Sequence, residues 1–599
     1  MSDPAGDAPA TPPTLDWDED GLPRSRAFGD VYFSKDGGLA ETRAVFLEGC
    51  GLPEAWAGRG GFVIGELGFG TGLNLVAALD LWRRTRGPGA RLTLFSIEAH
   101  PLTAEEARRA LAHWPELKET ADLLTARWPG RARGFHRVDL PELGAILDLA
   151  VMDVAEALDA WQGRADAWFL DGFAPALNPA MWGEDILAKV AARSAPGARA
   201  ATYTVAGAVR RGLAAAGFAV ERRPGFGRKR ERLEARLEGP SPAPARAAPA
   251  RVAVIGAGIA GAALARAFAA EGAAVTVFDP VGPGGGGSGN PAALVTPRLD
   301  AGLGPVAALA AQAFARAVRL YEALDAAGGE VVIHRGVLQL EAGERDSGRF
   351  AKIAASDLFE PASLSVASAG ETGAALGEAA PAALRMADAL VIAPAAVLAA
   401  WLAPVRTERV ATILREGDAW RLTDDGGRAL MTADIVCVAA GADTAALVRD
   451  VALQPVRGQA TWTDAARIGA AAAFGGYVIP TRDGLLFGAT HDRDERDTAV
   501  READNARNLA QLARTLPALA GRLAGAPMQA RASLRATTRD RLPLAGPAAG
   551  GEPGLFLLTG MGSRGFAMAP LLAKHVAALA LGRPSPLPAP LARLVAPGR

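Results

Sequence analysis

Two short glycine-rich runs, Glu66-Leu67-Gly68-Phe69-Gly70-Thr71-Gly72 and Gly256-Ala257-Gly258-Ile259-Ala260-Gly261, each stand between an apolar strand pattern and a helical one. Glycine at alternate positions lets the backbone turn tightly and come close to a ligand, and the helix that follows adds unpaired N–H groups at its start. Each run therefore asks for an α/β unit with a parallel sheet covered on both faces. Two of them in one chain ask for two such units.

The 599 residues are too many for one hydrophobic core and imply three or four domains. The boundary between the halves is legible at 239–250 (GPSPAPARAAPA), where closely spaced prolines prevent helix and sheet. Directly after it, Arg251-Val252-Ala253-Val254-Ile255 begins a new apolar strand. The expected organisation is a disordered tail over 1–14, a first α/β domain over 15–238, a Pro/Ala-rich linker over 239–250 and a second domain over 251–599. Within the second, nucleotide-binding parts are expected near 251–300 and 530–582, with a substrate part over 301–529.

The composition narrows the chemistry. Cys50 and Cys437 are far apart and belong to different halves, so no disulfide framework is expected and a reducing compartment fits best. The 6 histidines are scattered, with no pair at metal-ligand spacing, and no catalytic metal is expected. Apolar stretches such as 306–315 are too short and too interrupted to span a bilayer, which points to the cytosol. A net charge of −1 means that a nucleic-acid partner, if there is one, is held by local patches.

The first glycine run follows the strand Phe62–Ile64 and precedes a helical pattern from Leu73 to Arg83. Glu98, at the end of the next strand (92–97), is placed to accept hydrogen bonds from ribose hydroxyls. Asp153 and Asp171 end two further strands, and ligands in open α/β sheets bind at the carboxyl ends of strands. This order of strand, loop, helix and acid reads as a methyl-donor site, with S-adenosylmethionine on Glu66, Gly68, Gly70, Gly72, Glu98 and Asp153, and Asp171 toward the acceptor. Helix capping is the competing role for Asp153.

The second run is the dinucleotide fingerprint: Gly256, Gly258 and Gly261 after a strand, an Ala-rich helix to about Ala270, and Asp279 at the end of the next strand, about 20 residues downstream. The pyrophosphate would rest on the helix N-terminus. The choice of FAD over NAD comes from the other end of the chain. There a strand over 554–559 enters Gly560-Met561-Gly562-Ser563-Arg564-Gly565 and a helix from about Ala569, a second turn suited to an anion or a flavin edge. Just before it, 534–543 carries several arginines into an expected turn, and Arg535 is placed to fork onto a substrate carboxylate.

Together these residues resemble the bifunctional bacterial enzymes that complete 5-methylaminomethyl-2-thiouridine at the tRNA wobble position. The resemblance runs from about Leu15 to Leu581. In the first half it rests on Asp30-Val31-Tyr32-Phe33-Ser34, Gly38 to Arg43, Gly68 to Gly72, Trp168 to Pro175 and Gly225 to Arg230. In the second it rests on the Gly256 fingerprint, Gly287-Ser288-Gly289-Asn290, Gly476 to Pro480, Arg535 to Pro543 and Gly562 to Gly565. It implies a Rossmann-like methyltransferase followed by a two-part FAD oxidoreductase of the glycine-oxidase and D-amino-acid-oxidase type, with a FAD-binding Rossmann domain and a mixed-sheet substrate domain. The implied work is oxidative removal of a carboxymethyl group from the nucleoside's amine, then methylation of that amine.

By the same resemblance Asp171 orients the amine and accepts its proton, and Tyr477 and Arg535 hold the oxidase substrate. Ser288, Asn290, Gly562, Arg564 and Gly565 join Gly256, Gly258, Gly261 and Asp279 at FAD. Between Arg222 and Arg236 seven basic residues face two acidic ones; Arg222, Arg223, Arg228, Lys229 and Arg230, extended by Arg210 and Arg211, form the expected tRNA patch. A monomer is compatible with all of this. The chain departs from the family pattern at Gly29, at Cys50-Gly51 and at Thr296, where an aromatic is usual beside the flavin. Rival readings are a fused methyltransferase and amine oxidase acting on free amino acids or small amines, a tRNA-binding protein whose flavin half no longer catalyses, and a methyltransferase acting on DNA or protein.

Overall fold

A computed structural model describes residues 15–19, 21–26, 29–33, 37–227, 230–239 and 249–599. The expected tail, most of the linker, and Arg228 and Lys229 lie outside the described residues. The chain divides into two compact units, one of residues 1–248 with 584–589 and the other of 249–583 with 590–599. Residues 584–589, expected in the second domain, thus belong to the first unit, where Arg137 Nη2 donates to the Pro584 carbonyl at 2.9 Å.

The first unit is built on an eight-stranded sheet in the order Gly134–Leu140, Ala145–Val151, Arg91–Ile97, Gly61–Leu67, Ala165–Leu170, Ser194–Thr202, Glu231–Leu237, Phe218–Pro224. The five strands from Ala145–Val151 to Ser194–Thr202 are parallel, and antiparallel strands close both edges. Strands this apolar must be covered on both faces. Ile64, Leu92 and Leu94 pack into one core with Trp56 and Trp82, whereas Leu67, Phe95 and Ile97 pack into the other with Trp161 and Trp168. Phe95 and Trp161 stack at 4.2 Å.

The second unit contains a five-stranded sheet, Ala274–Phe278, Arg251–Ile255, Ile435–Val438, Leu555–Thr559 and Leu544–Pro547, parallel except at the last strand. A ten-stranded mixed sheet includes Ala293–Val295, Gln454–Thr463, Tyr477–Pro480 and Gln529–Thr537. Sheet membership therefore crosses the expected boundaries. Ile435–Val438, inside the expected substrate part, sits in the nucleotide-binding sheet, and Gln529–Thr537 pairs with Gln454–Thr463 in the mixed sheet.

Two further expectations need correction. Arg535 lies within strand Gln529–Thr537, not in a turn, because that segment pairs over its whole length with Gln454–Thr463. The last long helix begins at Gly565, not near Ala569, and runs to Ala580 with Pro570 inside it. Proline so near a helix start removes one early hydrogen bond without ending the helix. No helix among the described residues is long and apolar enough to cross a membrane.

Candidate active sites

In the first unit, the acids singled out in the sequence gather at the carboxyl ends of the parallel strands. Glu66 belongs to strand Gly61–Leu67, and Glu98, Asp153 and Asp171 directly follow their strands or lie one residue beyond. Gly68, at φ +86°, follows that strand; a Cβ there would lie 2.2 Å from the Asp171 carbonyl oxygen, so only glycine admits this close approach of loop to strand end. Gly70 N donates to Glu98 Oε2 at 3.2 Å, which ties the glycine loop to the acid on the next strand. Gly72 caps the helix Leu73–Thr85. Asp153 takes the capping role. Its Oδ1 accepts from Ala155 N at 2.8 Å and from Glu156 N at 3.4 Å.

The centre of this site is a buried polar cluster. Glu66, fully buried, accepts from Ser96 Oγ at 2.6 Å and from Asn74 Nδ2 at 3.2 Å. The same Asn74 nitrogen donates to Asp171 Oδ2 at 2.7 Å, and Asn74 Oδ1 accepts from Thr42 Oγ1 at 2.8 Å. Burial holds the Glu66 carboxyl well above the ordinary carboxylate range; the Ser96 and Asn74 donors oppose that shift and the Asp171 charge adds to it.

Aromatic rings and a second acid flank Asp171. Tyr32 meets Phe173 edge-on at 5.4 Å, the Tyr203 hydroxyl donates to the Gly172 carbonyl at 2.5 Å, and Ala174 N donates to Asp30 Oδ2 at 3.1 Å. Burial pushes both tyrosine hydroxyls up, so they are neutral donors at any physiological pH. Sequence reasoning missed Asn74, Thr42, Tyr203 and Asp30 as parts of one cluster. The signal was in the motifs around Asp30 and Gly38–Arg43, but their meeting with the strand ends is tertiary. Cys50, at a departure from the family pattern, is a buried thiol pushed up to about 12 by burial.

Of the basic residues expected to meet RNA, Arg222 and Arg223 lie toward the same end of this sheet. Leu233 pairs with both Thr202, the last residue of a parallel strand, and Arg222, so Arg223 and Pro224 lie at the parallel strands' carboxyl ends. A Cβ on Gly37 would lie 3.9 Å from the Phe226 ring. Arg222 and Arg223 are partly matched by their own strand neighbours, Arg222 with Glu231 at 3.2 Å and Arg223 with Glu221 at 2.5 Å. Arg210 and Arg211 are exposed on helix Gly207–Ala215.

In the second unit, strand Arg251–Ile255 turns through Gly256, at φ +114°, into helix Ile259–Ala270. A Cβ at Gly256 would lie 2.4 Å from the Ala439 carbonyl oxygen. Ser288 Oγ accepts from Ile259 N at 3.0 Å, which puts a hydroxyl at the helix N-terminus. Asp279 accepts from three backbone N–H groups: Ala257 at 2.8 Å on one oxygen, Val281 and Gly282 at 2.9 Å on the other. Asn290 lies just before strand Ala293–Val295. The C-terminal turn places Gly562 at φ +54° with its N–H on the Ala536 carbonyl, Arg564 as the cap and Gly565 as the first residue of its helix. Burial holds the Arg564 guanidinium below its ordinary value, and the nearby Arg298 charge adds to that.

Arg535 and Tyr477 meet on one face of the mixed sheet. Val456, Gly458 and Ala460 pair with Arg535, Ser533 and Arg531, and Ala460 pairs through Gly488 with Tyr477. Gly458 leaves room for Arg535, whose Nη1 would lie 2.2 Å from a Cβ there. Burial pushes the Tyr477 hydroxyl up and the Arg535 guanidinium opposes it; burial pushes Arg535 down, opposed by Tyr477 and Asp492. Among the described residues, the one hydrogen-bond acceptor of Arg535 is the Thr490 carbonyl at 3.1 Å. A guanidinium with five N–H donors, so withdrawn and so thinly satisfied, is chemically matched to a carboxylate ligand. Arg531, four residues away on the same face, donates to the carbonyls of Gly284, Gly285 and Gly286 at 2.7–3.0 Å and so pins the glycine-rich loop before Ser288. Sequence reasoning did not single it out.

The residues present suit both groups that the glycine loops imply: left-handed glycines at strand ends, helix N-termini and acids or hydroxyls beside them. No cluster of three or more His, Cys, Asp or Glu residues that could hold a metal ion occurs among the described residues. The fold and its two sites define a methyltransferase joined to a flavin-dependent oxidoreductase. Residues 115–238 match the family described as S-adenosyl-L-methionine-dependent methyltransferase, and 251–579 match FAD dependent oxidoreductase.

The chain belongs to the family of tRNA 5-methylaminomethyl-2-thiouridine biosynthesis bifunctional proteins. A member from Caulobacter vibrioides is 62% identical over 98% of this chain and 97% of its own, and one from Maricaulis maris is 42% identical over 98% and 96%. Among solved structures, glycine oxidase from Geobacillus kaustophilus covers 57% of this chain and 98% of its own at 22% identity and a TM-score of 0.49.

Proposed function

We propose that this enzyme finishes a modified wobble uridine of tRNA in two reactions. The second unit removes the carboxymethyl group of 5-carboxymethylaminomethyl-(2-thio)uridine as glyoxylate, leaving the 5-aminomethyl form. The first unit then methylates that amine to give 5-methylaminomethyl-(2-thio)uridine. The observation that carries this reading is the match, along 98% of the chain, to a bifunctional protein named for that nucleoside. Its site of work is the cytoplasm, where tRNA is modified.

Bound FAD supplies the acceptor for two electrons, and S-adenosylmethionine supplies a methyl group on a cationic sulfur. The protein's own part is placement. In the oxidase, Arg535 forks onto the substrate carboxylate and Tyr477 holds the amine beside it, which fixes the carbon to be oxidised between them. Gly256, Gly258, Gly261, Asp279, Ser288, Asn290, Gly562, Arg564 and Gly565 hold FAD, with the pyrophosphate on the N-terminus of helix Ile259–Ala270. In the methyltransferase, Glu66, Gly68, Gly70, Gly72, Glu98 and Asp153 hold the methyl donor. Asp171 orients the acceptor amine and takes the proton that the nitrogen loses as the new C–N bond forms. What supports that role is its position at a strand end, beside the glycine loop and held by Asn74.

The tRNA is met by Arg210, Arg211, Arg222, Arg223, Arg228, Lys229 and Arg230, and each phosphate they neutralise makes binding weaker as salt rises. Incubation of tRNA bearing 5-carboxymethylaminomethyluridine with the enzyme, with and without S-adenosylmethionine, tests the whole reading by nucleoside mass. Loss of the carboxymethyl group without the methyl donor, and one added methyl with it, is the expected result. Unchanged masses from folded, FAD-loaded protein would overturn it and leave free amines as the leading substrates.

A further inference from the structure

In the methyltransferase cluster, Asn74 touches neither reaction partner in the reading above, yet joins two residues that do, Glu66 and Asp171. Asn74 is the second residue of the helix that begins at Leu73, and it is buried. Both hydrogens of its amide nitrogen are spent on carboxylates, Asp171 at 2.7 Å and Glu66 at 3.2 Å. Its oxygen is spent on the Thr42 hydroxyl at 2.8 Å. We infer that Asn74 is the positioning residue of methyl transfer, fixing the Asp171 carboxylate against the glycine loop, with Thr42 anchoring the amide through its oxygen.

The reasoning is one of donors and acceptors. An asparagine amide fits its pocket equally well in either of two orientations, and only its partners distinguish them. Turned over, Asn74 would aim its oxygen at the oxygens of Asp171 and Glu66 and its nitrogen at the Thr42 hydroxyl. The Asp171 carboxylate, which can only accept, opposes that flip, and the Thr42 hydroxyl then anchors the amide oxygen in the orientation that Asp171 selects. Helix Gly38–Thr42, which carries one of the motifs read from the sequence, thereby reaches the reacting end of the sheet through the Thr42–Asn74 hydrogen bond. The carboxylate it governs must meet an amine nitrogen at hydrogen-bonding distance, and a displacement of about 1 Å from that geometry costs rate on the order of 100-fold.

The inference rests on the reading of Asp171 as the group that handles the amine, and the experiment separates the two. Methylation of tRNA already carrying the 5-aminomethyl group is followed with holoenzyme variants Asn74→Ala, Thr42→Val, Thr42→Ser, the double variant Asn74→Ala/Thr42→Val, and Asp171→Asn. In each variant, binding of S-adenosylmethionine reports that the first unit is intact, and the flavin reaction of the same chain reports the second.

Asn74→Ala is expected to lower kcat on the order of 100-fold with the KM for S-adenosylmethionine little changed. Thr42→Val is expected to lower kcat less, Thr42→Ser to stay near wild type, and the double variant to be no worse than Asn74→Ala, because Thr42 acts through Asn74. Multiplying effects in the double variant, or a loss confined to KM, would overturn the positioning role. Should Asn74→Ala fail to fold, the contrast between Thr42→Val and Thr42→Ser decides alone, and equal activity of those two would overturn it. An active Asp171→Asn would instead overturn the reading of Asp171 itself. A dead Asp171→Asn beside a fully active Asn74→Ala would overturn only the inference made here.

Discussion

The hydroxyl of Tyr321 donates to the carbonyl of Phe566 at 2.7 Å, and the reason lies four residues further on. In an α-helix the Phe566 carbonyl would accept from the N–H of residue 570, but that residue is proline and has no N–H. Tyr321, fully buried on helix Pro305–Leu324, supplies the missing donor. Tyr321→Phe strands a buried carbonyl and is expected to destabilise the flavin unit by about 1–3 kcal/mol. Restoring the N–H with Pro570→Ala in the same chain should recover part of the loss. Release of bound flavin on heating, followed by its fluorescence, measures both.

Asp171→Asn keeps the shape of the side chain and removes its basicity. Methylation is expected to fall by about 100- to 10,000-fold while removal of the carboxymethyl group continues, so the 5-aminomethyl nucleoside accumulates. Nucleoside masses from tRNA treated with both cofactors present read this directly.

Arg535→Lys retains a cation but loses the planar fork. A charge-assisted hydrogen bond contributes about 1.5–3 kcal/mol, so kcat/KM of the oxidase half should fall by at least tenfold. The methyltransferase reaction on tRNA that already carries the 5-aminomethyl group should be unaffected. Stopped-flow reduction of the flavin by modified tRNA under anaerobic conditions is the measurement.

Glu66 makes the first unit's stability depend on pH in a defined direction. Its carboxyl is held well above the ordinary value of 4.5, chiefly by burial, so the folded state binds its proton more tightly than the unfolded state. The stability it contributes is complete below 4.5 and is lost as pH rises through the folded value. Glu66→Gln imitates the protonated acid. The melting temperature of the variant should therefore decline less than that of the wild type as pH rises above 4.5, and parallel declines would contradict the assignment.

Charge reversal of Arg210 and Arg211 to glutamate should weaken tRNA binding and make it less sensitive to salt. The comparable change at Arg222 and Arg223 should do less, since their strand neighbours Glu231 and Glu221 already offset part of their charge. Binding titrations across a range of salt concentrations compare the slopes.

Much of this was legible in the sequence because it is local. The two glycine loops, their flanking strands and helices, and the acids at Glu98 and Asp279 stand close together in the chain, and periodicity places them. Asp153 reads from the sequence as a ligand or a cap; its Oδ1 caps helix Val154–Ala160, which leaves Oδ2 for the methyl donor. What stayed hidden was tertiary. Asn74 sits in a helical pattern like any polar residue, and only the fold brings it between Glu66 and Asp171. Arg535 was expected in a turn because arginines, threonines and Pro543 crowd there, but pairing with Gln454–Thr463 outweighs that local signal. The two parts of the flavin unit exchange strands, and no local pattern announces which sheet a strand will join.

Strand Gln454–Thr463 carries a different task on each face. Val456, Gly458 and Ala460 stand opposite Arg535, Ser533 and Arg531. On the intervening positions Arg457, Gln459 and Thr461 are fully buried and bonded to Asp504, Asn505 and Asn508. A shift of this strand by one residue would exchange those faces, driving Arg457 toward the oxidase face and taking from Asp504, Asn505 and Asn508 of helix Glu502–Thr515 their partners on the strand. A one-residue insertion or deletion here therefore has no near-native structure to fall back on. The Asp424–Arg428 turn, by contrast, hydrogen-bonds only within itself in the described contacts and can change length freely. Among descendants of this chain, length variation should accumulate at that turn and be absent from the strand.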